Sequence, residues 1–230
     1  MSDINLYGHL THDKIFNGFE KSETIGSMGN LWKFFSKHCP TLKVNLIPTS
    51  IGQAIIYINE EQAERVSCAN LNIKHNINSI THPKSSVSHV AYVNELPDLN
   101  FLSEINSDFI TMDVCAGRKI QDLEILKFAD ILFLSDEDNY YNLQEIIKKV
   151  KVGIILHSES GSVFIHKTSE NKIKNKKTEI TPIKNVNILG AGDMLAASFI
   201  NNFIKLKNAS KSISLAHKHI ADIIRKSSIK

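Results

Sequence analysis

Between positions 89 and 158 four short segments, HVAYV, FITMDV, DILFLS and VGIILHS, are apolar at nearly every position. A strand that is apolar on both sides needs cover on both faces, which is the situation of a parallel strand inside a layered sheet. Helical candidates lie before and between them: MGNLWKFFSKH at 28–38, DLEILKFA at 122–129 and NYYNLQEIIKKV at 139–150. Strand and helix alternating in this way predict a layered α/β domain. The first third reads differently. LKVNLI (42–47) and AIIYI (54–58) are strand candidates joined by PTSIGQ, whose proline and glycine mark a turn. Alternation from Gly52 to Asn70 predicts antiparallel strands in a small flap beside the main sheet. The chain of 230 residues is long enough for one domain, 1–230, with the flap drawn mainly from 1–70.

Several function classes fall away on composition. The net charge is +3, and the basic residues are scattered without interleaved aromatics, so nothing predicts a nucleic-acid partner. The one dense basic run, HKTSENKIKNKK (166–177), carries Ser, Thr and Asn between its lysines and reads as a solvated hairpin tip. Three distant cysteines form no CxxC pair, which fits a reducing compartment and gives no zinc site. The ten histidines contain no HExxH. No apolar run reaches membrane-spanning length, and the N-terminus lacks the pattern of a signal peptide. The expectation is a soluble cytoplasmic protein with no membrane partner.

The segment with chemistry in it is NILGAGDMLAASF (187–199). Two glycines and an aspartate stand before an almost wholly apolar helix, predicted from about Met194 to Leu206 with one polar stripe of Ser198, Asn201, Asn202 and Lys205. A helix start exposes unpaired N–H groups and a partial positive charge, and glycines let a ligand approach them. Gly190, Ala191 and Gly192 can therefore form an anion hole. Asp193, beside a bound anion, makes chemical sense as a general base that takes a proton from an attacking hydroxyl. The plainer alternative is that Asp193 caps the helix. A dinucleotide fingerprint fails, because Leu195 fills the third glycine position and too little chain follows for a βαβαβ unit.

With this turn placed late, after a hairpin and a layered α/β region, the chain resembles the PfkB (ribokinase-like) family of carbohydrate kinases. NILGAGD is similar to the family's D-T-x-G-A-G-D, and LYGHLTHD (6–13) to its first strand ending in a sugar-binding aspartate. IGSMGN (25–30) is similar to the G-G-x-x-x-N turn, MDVCAGR (112–118) to D-x-N-x-R, and ADILFLSDED (129–138) to A-D-x-x-x-x-N-x-x-E. The resemblance implies a three-layer α/β/α sandwich with a small β-sheet lid. It implies ATP as phosphoryl donor with Mg²⁺, a sugar-like acceptor, and a possible homodimer through the lid. It assigns Asp193 as base, Asp13, Gly26, Asn30 and Arg118 to the acceptor, and Ser135, Ser158, Gly161 and Asn187 to the nucleotide, with Asp138 at the metal.

The chain departs from the pattern at several of these positions. Asn187 and Ile188 replace Asp and Thr, Ser135 replaces Asn, and Asp138 replaces Glu. LHSESG (156–161) keeps only the last glycine of T-x-G-x-x-G, and Ser27 follows Gly26 in place of a second glycine. These departures leave two alternatives open: a sugar-binding or regulatory homologue with weakened catalysis, and a kinase for a nucleoside or vitamin precursor.

Overall fold

The structure is a computed structural model that describes residues 2–58, 65–74, 81–114, 119–138, 142–183 and 190–227. The chain begins with β1 (Ser2–Asn17), β2 (Glu20–Thr24), α1 (Gly26–His38), β3 (Val44–Ile58) and β4 (Arg65–Lys74). It continues with β5 (Ser85–Val90), β6 (Ile110–Asp113), β7 (Ile131–Ser135), α2 (Leu143–Lys149) and β8 (Gly153–Ser158). The last elements are β9 (Gly161–Lys167), β10 (Ile173–Glu179), α3 (Ala191–Leu206) and α4 (Ala209–Ser227). Among the described residues the strands form one sheet in the order β10-β9-β8-β7-β6-β5-β1-β3-β4, with β2 attached to β1.

The block β8-β7-β6-β5-β1-β3 is parallel throughout. The apolar strands β6 and β7 lie inside this block, buried from end to end apart from the half-buried Ser135. Along β1 successive side chains leave on opposite faces, as the two-residue repeat of a strand requires. Ile4 and Leu6 join Met28, Leu31 and Phe35 of α1 and Leu195, Phe199 and Ile200 of α3 in one core. Tyr7 joins Val90, Phe101, Met112, Leu126 and Ile146 in the other. Two cores on two faces make the expected three layers.

The flap is not a separate sheet. β1 and β3 stay paired from Ile4↔Val44 to Asn17↔Ile58, and β2 and β4 flank their outer halves in antiparallel fashion. The turn expected at PTSIGQ is therefore absent, and β3 runs straight through Pro48 and Gly52. Proline is tolerated there because β4 pairs with β3 only from Ser50 onward, so at Pro48 the strand has an open edge needing no N–H donor. The register shifts between Gly8 and His9. His9 pins the shift: its Nε2–H donates to the Glu95 carbonyl at 2.8 Å, so Nδ1 is left to accept from the Ser50 hydroxyl.

Two other expectations change. Residues 122–129 form only a short 3₁₀ turn at Leu123–Phe128, capped by Asp122. α3 starts at Ala191, earlier than expected, and two residues of its polar stripe, Ser198 and Asn201, are buried. α4 covers them, with Ser198 Oγ 3.1 Å from His219 Nδ1. At 19 residues α4 is longer than α3. The basic run is a hairpin tip as read, with β10 exposed along nearly its whole length.

His217 on α4 is 4% exposed, and burial, with the neighbouring His157 adding to it, pushes its pKa down to about 4. The unfolded chain takes up this proton near the ordinary value of 6.5, the folded chain only near 4. The associated stability is complete above pH 6.5 and is lost as pH falls toward 4, by up to about 3 kcal/mol at about 1.4 kcal/mol per pKa unit. Urea denaturation across this window should give a steeper pH slope for the natural chain than for His217→Gln. Equal slopes would show that His217 is solvated.

Candidate active site

Open parallel sheets bind ligands at the carboxyl ends of their strands. Here those ends carry Asp113 (β6), Ser135 (β7), and His157 and Ser158 (β8). α3 presents its first turn to the same edge. Gly190 is its N-cap, in a left-handed conformation (φ 78°) with no side-chain cap. The first intrahelical bond runs from Met194 N–H to Gly190 C=O at 3.0 Å. The N–H groups of Ala191, Gly192 and Asp193 therefore stand ahead of the helix's own hydrogen-bond ladder, as at any helix start.

Asp193 is not the cap. It sits one turn in, is 3% exposed, and is held by α1. Ser27 Oγ donates to Asp193 Oδ1 at 2.5 Å, and Asn30 Nδ2 donates to Asp193 Oδ2 at 2.7 Å. The carboxylate thus lies between the positive ends of two helices, its own and α1, a setting that favours the ionised form. Gly190 has to be glycine here, since a Cβ would come within 2.9 Å of Asn30 Nδ2. Gly26, at φ 66°, starts α1 where a Cβ would fall 2.2 Å from Thr11 Oγ1, so β1 and α1 touch backbone to side chain beside the base.

Asp13 is buried at the root of the flap, between Thr24 of β2 and Ala54 of β3, and Thr24 Oγ1 donates to it at 3.4 Å. Ser27, Asn30 and Asp193 are thus joined by hydrogen bonds, with Gly190 lying close beside Asn30. Asp13 and Gly26 stand on the adjoining β1–β2–α1 segment.

On the other side, the face of Gly192 meets His157, whose Cε1 would lie 3.6 Å from a Cβ there. His157 is half-buried. Burial pushes its imidazole below the ordinary value, while Asp113 and Asp136 pull the other way. In register beside His157 is Ser135, whose N–H donates to Asp138 Oδ2 at 2.9 Å. Ser158 and Gly161 close the tight β8–β9 hairpin; Gly161 (φ 132°) would place a Cβ 2.0 Å from the Thr178 carbonyl. That glycine is accounted for by its contact with β10. Arg118 and Asn187 lie outside the described residues. Ser27 and His157 were not singled out as site residues from sequence. Ser27 had a signal, since it occupies the slot of the second glycine in G-G-x-x-x-N.

Among the described residues no three His, Cys, Asp or Glu side chains gather into a cage for a metal ion. Mg²⁺ in phosphoryl transfer is held largely by substrate phosphates and water with one or two carboxylates. Buried Asp138, at the carboxyl end of β7, fits that modest protein share.

A mainly parallel sheet with helices on both faces, a flap continuous with its N-terminal strands, and a glycine-headed helix against the strand ends define a ribokinase-like α/β protein. No protein-family model matches the chain, and no curated protein matches it by sequence. Solved structures do. A pyrophosphate-dependent kinase in the ribokinase family, complexed with a pyrophosphate analog and myo-inositol, aligns over 96% of this chain and 95% of its own at 15% identity and a TM-score of 0.65. An uncharacterized sugar kinase from Pyrococcus horikoshii in complex with ATP aligns over 92% and 90% at 17% identity and a TM-score of 0.71. Ribokinase from Cryptococcus neoformans in complex with ADP aligns over 94% and 91% at 12% identity, again at 0.71. At these identities the likeness establishes the fold: the chain is ribokinase-like over nearly its whole length.

Proposed function

We propose that the protein transfers a phosphoryl group from ATP, with Mg²⁺, to a hydroxyl of a sugar or sugar-like small molecule. One observation carries the reading: a buried carboxylate, Asp193, stands in the open first turn of α3, next to backbone amides freed by Gly190 and Gly192. Phosphoryl transfer asks for little covalent chemistry from the protein and a great deal of positioning and charge stabilisation. In this reading an acceptor hydroxyl hydrogen-bonds to Asp193, which takes its proton as the oxygen attacks the donor phosphorus. The amides of the Gly190–Gly192 turn receive the negative charge that builds on the transferring group. Mg²⁺, reached by Asp138, would neutralise charge on the donor phosphates.

Asp13, Gly26 and Asn30 hold the acceptor, with Arg118 as a further contact. Asn30 gives its amide to Asp193, so its carbonyl oxygen is the part that would accept from the sugar. Ser135, Ser158, Gly161 and Asn187 are assigned to the nucleotide side. The flap would exclude water, which otherwise competes for the phosphoryl group. Ile55 and Tyr57 stand exposed on the flap, and we extend the reading to a homodimer paired there, tested by light scattering.

Pyrophosphate is a second donor reading, favoured by the kinase of that dependence that matches this chain almost end to end. A thermal-shift screen of sugars, inositols and nucleosides, with Mg–ATP, with Mg–pyrophosphate and with neither, tests both, because a ligand binding the folded state raises its melting temperature. A donor-dependent rise followed by phosphorylated product supports the reading. No shift with either donor at millimolar concentration sinks it, and a shift with sugars alone would make the protein a sugar-binding homologue.

A further inference from the structure

A serine near a helix start ordinarily spends its hydroxyl on nearby backbone. Ser27 does not. It is the second residue of α1, 92% buried, and its hydroxyl reaches Asp193, 166 positions away in the chain, at 2.5 Å. The N-cap of α1, Ile25, supplies no side-chain cap, and the first turn of α1 carries no acidic residue. Gly26 makes the geometry possible, because its left-handed backbone (φ 66°) turns the chain from β2 into α1 and brings Ser27 under the carboxylate. Asn30, one turn further along the same face, donates to the other oxygen. The base is therefore gripped at both oxygens by neutral donors of one helix.

We propose that Ser27 is a positioning residue for Asp193: its hydroxyl fixes the carboxylate rotamer and sets its basicity, so that the acceptor hydroxyl meets a base already aimed and ionised. The inference rests on Asp193 being the base of the proposed reaction, but the grip itself is independent of that reading. Hydrogen bonds donated to a carboxylate favour its charged form. Removing this donor should make Asp193 easier to protonate and freer to rotate. Titratable side chains in the neighbourhood are His157 of β8, which faces the same turn, His217 of α4, which interacts with His157, and Asp13 of β1, which is turned to Thr24. They remain in place in the Ser27 variants, so differences between variants report on Asp193.

The experiment compares the natural chain with Ser27→Ala and Ser27→Thr, the second retaining a hydroxyl. Carbon-13 NMR titration of the Asp193 carboxyl, assigned by its loss in Asp193→Asn, gives a readout that needs no turnover. The Asp193 pKa should rise by about one unit in Ser27→Ala, the effect of one lost hydrogen bond to a charged group, and return in Ser27→Thr. In the activity assay kcat should fall roughly 10- to 100-fold for Ser27→Ala, with the acidic limb of its pH profile moved upward and the KM of the donor unchanged. Partial rescue is expected for Ser27→Thr. An unshifted carboxyl titration in a folded Ser27→Ala protein overturns the inference, and Ser27 then only fills space. A shifted titration in a protein that phosphorylates nothing would leave the grip intact and remove the kinase reading instead.

Discussion

Asp193→Asn should turn over roughly 10²- to 10⁴-fold more slowly than the natural chain, the range associated with a general base, while acceptor affinity changes little. The substitution preserves size, and its amide carbonyl can still accept the Ser27 hydroxyl. Its new NH₂ would face the Asn30 NH₂ donor-to-donor. The opposite orientation of the new amide avoids that conflict, its carbonyl accepting from Asn30 Nδ2 and its NH₂ donating to Ser27 Oγ, so Asn30 stays in place, the fold survives and the loss falls on catalysis. Because Gly190, and not Asp193, is the N-cap of α3, the helix keeps its cap in the variant. Single-turnover kinetics with thermal denaturation separates the two effects. A variant that phosphorylates acceptor at nearly the natural rate would show that Asp193 serves architecture only.

Gly190→Val should be the most damaging single change in the turn. Its backbone sits at φ 78°, where a β-branched residue is held at a cost on the order of 1–3 kcal/mol. The added carbon would also press within 2.9 Å of Asn30 Nδ2 and 3.6 Å of Asp193 Oδ2. Stability and the aim of the base therefore fall together, and loss of an anion-hole donor alone removes roughly 10²–10³ in rate. Gly192→Ala is the control. Its Cβ would make only ordinary contact with the His157 ring, at 3.6 Å, and its backbone is helical. A large drop for the first and a small one for the second, read by kcat and urea midpoint, is the expected pattern. Equal effects at the two glycines would mean that the turn is not shaped around an anion.

The layered α/β architecture could be read from sequence because β7 and much of β8 are so uniformly apolar that only a doubly covered parallel strand suits them. Where reading failed, the deciding partner was distant in sequence. Pro48 and Gly52 look like a turn until one knows that β3 has an open edge beside Pro48. Ser198 and Asn201 look solvated until α4 is laid across them. The GAGD turn announced itself through residue types that have few other uses in that order. The grip of Ser27 on Asp193 did not, because hydroxyl-to-carboxylate pairing across 166 positions leaves no local pattern. Gly161 carries a need that its motif does not reveal, clearance of the Thr178 carbonyl.

The pairing of β1 with β3 on both sides of one register shift makes the flap a leaf spring. A door on a loop hinge swings at little energetic cost, but two strands bonded along nearly their whole length can only twist and bow. Compliance will concentrate where the ladder is weakest, at the Gly8/His9 register shift. The His9 contacts to Ser50 and the Glu95 carbonyl act there as a clamp at the fixed end of the leaf. Asp13 lies beyond the clamp along β1, so any load that bows the leaf changes its distance from Asn30, the other side chain proposed to hold the acceptor. Stiffness at Gly8 and Pro48, residues in none of the hydrogen bonds around Asp193, then becomes a determinant of which acceptor shapes the protein can hold.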